Sequence, residues 1–232
     1  SGADDPGGSP VSGGSDVAVT GALGAQMLLW EVATAVAGRL LGINPFDQPD
    51  VESAKKAARA MLEGSADTTE PAFVDGPVEV RALGGDWLGS AASLPEAVAA
   101  LLGELDTDRG YVAVMAYLDR LALPDLARTR GSLAVRTRRP VTFGWGPRFL
   151  HSTGQYHKGG PPTGVYVQVT AAPAQDLPVP GRDFTLGQFI ASQAGGDATV
   201  LADHGRPVLR LHLTDHDAGL DRVRAALGRG RE

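Results

Sequence analysis

Apolar positions recur along this chain in two kinds of block. Residues 20–43, TGALGAQMLLWEVATAVAGRLLGI, form the longest apolar stretch, interrupted by Gln26, Glu31 and Arg39. Thr20 offers an N-cap and Gly42 an end, so a buried globular helix is expected there. Two charges inside the run argue against a membrane span, which needs about 20 apolar residues with few charges. After Pro49, Val51, Ala54, Ala58 and Met61 fall on one face of a helix running to about Gly64. Residues 65–90 mix turn residues with one short alternating strand, Val78 to Ala82.

Further on, SLPEAVAALLGELD predicts a helix with Ser93 as cap and Glu96 in its first turn. YVAVMAYL is a continuous apolar run, the pattern of a strand buried on both faces. A basic helix (PDLARTRGSLAVRTRR) follows, then strands PVTFGWG and GVYVQVT, and a helix or two within TLGQFIASQAGGDATVLADHG. Strand PVLRLHLT and the amphipathic helix DAGLDRVRAALG close the chain. Strand–helix alternation over residues 110–228 predicts a mostly parallel α/β sheet with helices on both faces. Residues 1–19, rich in Gly, Ser, Pro and Asp, read as a flexible lead-in.

Composition narrows the function. The chain has 232 residues, 43% of them apolar and 21% charged, enough for a sizeable core. A net charge of −6 without like-charge blocks speaks against nucleic acid and anionic membrane as partners. The absence of cysteine removes disulfides and thiolate chemistry, and fits a cytoplasmic protein. No cofactor is expected: G-x-G-x-x-G spacing is missing. No metal is expected either, because His151 and His157 are six apart with no Cys or carboxylate close by.

Two constellations carry polar chemistry. In the first, FDQPDVESAK (46–55), Gln48 sits at the mouth of the expected helix, where backbone N–H groups favour an anion. Lys55 follows seven residues later, two turns on, at nearly the same azimuth about 10 Å along the axis. Such an amide and ammonium could hold two ends of one polar ligand; a solvated face with Glu52–Lys56 as an i, i+4 pair is the alternative. In the second, a predicted strand runs into GWGPRFLHSTGQYHKGGP, which gathers Arg148, His151, Ser152, Thr153, Gln155, His157 and Lys158 among glycines. Strand ends followed by glycines and small hydroxyls build anion sites in α/β sheets; a Gly-rich surface loop is the alternative.

The segment GINPFDQPDVESAKK resembles the C-terminal signature of phosphoglucose isomerases, a Phe-Asp-Gln followed by Gly-Val-Glu and a Lys seven residues after the Gln. Asp50 stands where that family has the Gly. FLHSTGQYHKGGPPTGVYVQVT is similar to a block in an actinobacterial-type branch of that family, including chains fused behind a transaldolase. The resemblance implies that residues 20–64 are the C-terminal helices of a sugar-isomerase (SIS) domain, that 65–107 are a connection with a helix, and that 108–232 form a small α/β domain. It implies interconversion of glucose 6-phosphate and fructose 6-phosphate through a cis-enediol, with Gln48 contacting the sugar phosphate and Lys55 assisting ring opening. The proton-moving Glu, the enediolate-stabilising Arg and the phosphate-binding Ser/Thr of the family lie upstream of its signature. Nothing before Thr20 resembles them, and Glu31, Asp176 and Asp183 are poor substitutes for the base. Upstream SIS domains or a partner chain are therefore implied. The alternatives are a non-catalytic module that binds a sugar phosphate or stabilises a partner, and the tail of a transaldolase–isomerase fusion.

Overall fold

A computed structural model describes residues 19–47, 49–62 and 70–228. The expected lead-in, apart from its last residue, and Gln48 lie outside the described residues. The chain divides into two compact units, Ser1–Asp47 and Gln48–Glu232.

The first unit holds helix α1 (Leu23–Leu41). Thr20 is not its cap: Ala22 takes that position, and Gln26 Nε2 donates to the Gly21 carbonyl at 2.6 Å. Gly42 ends the helix in the left-handed region, φ 68°, as its lack of a Cβ allows. Asn44 ties the next turn, its Oδ1 accepting from the Phe46 N–H at 3.1 Å and its Nδ2 donating to Asp47 Oδ1 at 3.0 Å. Pro45 folds back on Gly38, the buried residue of the helix. The rest of α1 is not the buried helix expected; Leu28 is 62% and Trp30 57% exposed. The physical reason is local: among the described residues of its own unit, only the turn after α1 is available to cover it.

The second unit opens with α2 (Pro49–Leu62), whose first residue is a proline that loses no hydrogen bond there. Among the described residues six strands follow: β1 (Phe73–Asp75), β2 (Val78–Leu83), β3 (Tyr111–Tyr117), β4 (Val141–Trp145), β5 (Gly164–Ala171) and β6 (Val208–Leu213). They form one sheet in the order β1-β2-β6-β5-β3-β4. β6, β5, β3 and β4 are parallel, while β2 runs antiparallel to β6 and pairs with β1 in a hairpin. The sheet is thus mixed, and the 65–107 stretch contributes two strands to it and not only a connection. As its apolar run requires, β3 is an inner strand, between β5 and β4, and is buried at all seven positions.

Helices α3 (Leu94–Gly103), α4 (Thr129–Thr137) and α7 (His216–Gly228) cover one face. The packing there is aliphatic: Leu94, Leu101, Leu133, Leu220 and Leu227 meet Val112, Val114, Val167 and Leu211. Helices α5 (Gly154–Gly159) and α6 (Leu186–Asp203) lie on the other face, and α2 packs along α6 and against α5. Local chemistry fixes the helix starts. Glu96 accepts from the Ser93 N–H at 3.1 Å, and Thr185 Oγ1 accepts from the Gln188 N–H at 3.1 Å while Gln188 Oε1 accepts from the Thr185 N–H at 2.9 Å.

The chain leaves β3 toward α4 on one face and leaves β5 toward α6 on the other. β3 and β5 are neighbours, so their carboxyl ends flank the point where the winding reverses, the place where open α/β sheets accept ligands. Among the described residues, no helix is long and apolar enough to cross a membrane.

Candidate functional site

The second unit holds Lys55 and the HSTGQYHKGG block. Helix α2 carries Lys55 at an exposed position, and α2 lies against α5, the helix of the HSTGQYHKGG block. Gln48, the other half of the first constellation, lies outside the described residues.

The block starts where β4 ends. A Cβ at Gly144 would lie 2.6 Å from Phe149 Cβ, and one at Gly146 would lie 2.6 Å from the Tyr117 ring. Glycine at both positions lets Phe149 and Tyr117 close over the strand end. A 3₁₀ turn, Arg148–His151, then leads into α5. Arg148, His151 and Ser152 are exposed, Thr153 and Gln155 half-buried, and His157 and Lys158 buried. One face of the block therefore meets solvent while its last turn is held in the interior.

That interior anchor is built from several elements. Lys158 forms an ion pair with Asp197 of α6, both side chains sealed from solvent. Tyr117, at the end of β3, donates to Asp197 Oδ2 at 3.4 Å. Burial pushes the Asp197 carboxyl above its ordinary value, against the pull of the Lys158 ammonium. Burial also raises the Tyr117 phenol, and the Asp197 charge adds to the effect. Arg206 closes the end of α5, its Nη2 donating to the carbonyls of Lys158 at 2.5 Å and Gly160 at 2.8 Å. The Tyr166 hydroxyl donates to the His157 carbonyl at 2.8 Å.

His157 sits among Tyr111, Phe149 and Tyr166, ring centroids 5.5–6.0 Å away. Its Nδ1 is buried without a hydrogen-bond partner. Burial, with Lys158 and Arg206 adding positive charge nearby, lowers the imidazole to about 4, so it is neutral at physiological pH. Among the described residues, no group of three His, Asp or Glu side chains is placed to hold a metal ion. Glu31 is exposed on α1, and Asp176 is exposed in the loop before α6, where it accepts from Gly187 N at 2.8 Å and from Thr185 Oγ1 at 2.5 Å. Asp183 is exposed as well.

Motif reading missed a second polar surface. On the face of the sheet that carries α6, two rows of polar side chains cross the carboxyl-terminal half of β5 and β6. Glu79, His212, Thr170 and Tyr117 are successive register partners across β2, β6, β5 and β3. Two residues along, Arg81, Arg210 and Gln168 form the parallel row. Thr170 Oγ1 lies 3.0 Å from His212 Nδ1, and Arg81 pairs with Glu79 at 2.9 Å. Gln168 Nε2 donates to the Ala194 carbonyl of α6 at 2.9 Å. The signal was present as alternation in VEVRAL, VYVQVT and VLRLHL, whose polar members all fall on one face. It carries no motif, and only strand order places the three segments side by side.

No family model matches the chain. Over 54 residues, 23% of its length, it is 44% identical to a probable glucose-6-phosphate isomerase of Methanococcus maripaludis. That match spans 12% of the curated relative. The crystal structure of a hypothetical protein from Thermus thermophilus aligns with 61% of this chain and 40% of that one, at 20% identity and a TM-score of 0.49.

Proposed function

We propose that this chain is part of an aldose–ketose isomerase that interconverts glucose 6-phosphate and fructose 6-phosphate. The observation that carries the reading is the 44% identity over 54 residues to a probable glucose-6-phosphate isomerase. The packing of α2, which carries Lys55, against the helix of the HSTGQYHKGG block supports it, because Lys55 and that block then belong to one unit.

In this reading Lys55 assists opening of the sugar ring as a proton donor to the ring oxygen, and Gln48 contacts the sugar phosphate. The solvent-facing part of the block, Arg148, His151, Ser152, Thr153 and Gln155, supplies donors for phosphate and sugar hydroxyls. His157 and Lys158 serve differently: buried and anchored, they hold the block in place and do not touch the substrate. The carboxylate that carries the proton between C2 and C1 and the cation that steadies the enediolate come from SIS domains upstream or from a partner chain. The test is turnover of fructose 6-phosphate by the intact protein that carries this chain, beside its His151→Ala and Gln155→Ala variants. Turnover with a raised KM in both variants supports the reading. Binding of fructose 6-phosphate without turnover in any form would make the chain a sugar-phosphate-binding module instead.

A further inference from the structure

We propose that the solvent-facing stripe of α4 docks an acidic segment of a partner protein. The stripe lies on the face of the sheet opposite α5 and α6, and shares no residue with those assigned to isomerisation.

Charge is the first observation. Residues 119–140 hold six arginines against two aspartates, in a chain of net charge −6. Arg139 serves the fold itself, donating to the carbonyls of Thr107, Asp108 and Gly110. Arg136 Nη1 donates to the Ala226 carbonyl at 2.9 Å and ties α4 to the end of α7. Arg128 and Arg138 instead face solvent at the two ends of α4. Arg128 pairs with Asp125 at 3.2 Å, but its side chain is 84% exposed, and an ion pair so exposed contributes little and exchanges readily.

Between those arginines runs a pattern. Arg128, Gly131, Val135 and Arg138 stand at i, i+3, i+7 and i+10, one stripe of a helix. All four are exposed, Val135 by 79%. Beside the stripe, Gly131, Ser132, Val135, Arg136 and Gly228 line an open groove of about 410 Å³.

Two residues of the stripe are not explained by the chain's own packing. Glycine weakens a helix interior, and a Cβ at Gly131 would meet nothing within 4 Å. A helix that ends in the left-handed region usually ends in glycine, yet Arg138 takes φ 54° there. No other non-glycine among the described residues has a positive φ. Gly131 leaves room for close approach, and Arg138 sets a guanidinium where glycine would suit the helix better. Both choices favour an external contact over the stability of α4.

Geometry and charge define the occupant. Arg128 and Arg138 are about 15 Å apart along the helix, roughly four or five residues of extended chain. A segment with carboxylates at that spacing and a small apolar side chain between them answers both arginines and covers Val135. A second copy of the stripe does not fit, because an isologous contact sets arginine against arginine. The chain's negative charge and the valine at the centre of the stripe disfavour nucleic acid.

The experiment is fluorescence anisotropy of the folded full chain with three labelled probes at low salt: acetyl-EEALAEE-amide, acetyl-KKALAKK-amide and a ten-nucleotide oligothymidylate. The acidic peptide should bind at least tenfold tighter than either control. Val135→Ser, Arg138→Gly and Gly131→Leu should each weaken it at least fivefold. Arg138→Gly and Gly131→Leu should at the same time raise Tm, because each suits the free helix better, so their loss of binding is separate from any loss of folding. Equal binding of the two peptides, preference for the oligothymidylate, or no measurable binding of the acidic peptide would overturn the proposal. So would an affinity unchanged in all three variants.

Discussion

The ammonium of Lys158 on α5 and the carboxylate of Asp197 on α6 form an ion pair sealed from solvent, 39 residues apart in sequence and joined from opposite ends of β5. Removing one partner strands the other in the interior. Asp197→Asn should therefore destabilise the chain by about 3–5 kcal/mol. The double variant Lys158→Met with Asp197→Leu removes both charges and should cost less than either single change. Chemical denaturation of Lys158→Met, Asp197→Leu and the double variant checks this; additive losses would mean that the pair is not coupled.

His157 gives a pH dependence whose sign is fixed. Its imidazole is lowered to about 4 in the fold, against about 6.5 in an unfolded chain. Between those values the unfolded state binds the extra proton, so stability rises with pH. The contribution is fully present above pH 6.5 and is lost as pH falls toward 4, by up to roughly 3 kcal/mol. His157→Phe, which suits the surrounding aromatic rings and removes the unpartnered Nδ1, should flatten that part of the stability–pH curve. An unchanged slope in the variant would show that the acid sensitivity comes from elsewhere.

Gly146 is held by a contact. A methyl group there meets the Tyr117 ring at 2.6 Å, and the ring is fixed between the strand end, Phe149 and Asp197. Gly146→Ala should cost about 1–3 kcal/mol through overpacking. The loss should shrink when Tyr117→Leu is added, because the obstructing ring is then gone; thermal melts of the single and double variants read this.

Much of the fold was legible from residues alone. YVAVMAYL announces a strand buried on both faces because it lacks alternation, and β3 is an inner strand buried throughout. Ser93 with Glu96, and Gly42 after the apolar run, marked helix ends because their chemistry is local. What failed was long-range. The apolar content of 20–43 suggested burial, yet what covers a helix depends on neighbours that sequence does not place. Lys158 and His157 sit among glycines and hydroxyls in sequence, yet a six-residue helix turns both inward, while Arg148, His151 and Ser152 before it stay exposed. The polar rows of β2, β5 and β6 became visible only once strand order brought Arg81, Arg210 and Gln168 into line.

The central claim is that Lys55 on α2 serves the isomerisation of glucose 6-phosphate, and kcat for that reaction in Lys55→Ala, measured in the intact protein, tests it most directly. A fall of about 10²–10⁴-fold, the usual contribution of a positioned proton donor, with stability unchanged and KM little altered, is the expected result. A kcat equal to that of the unsubstituted protein would contradict it.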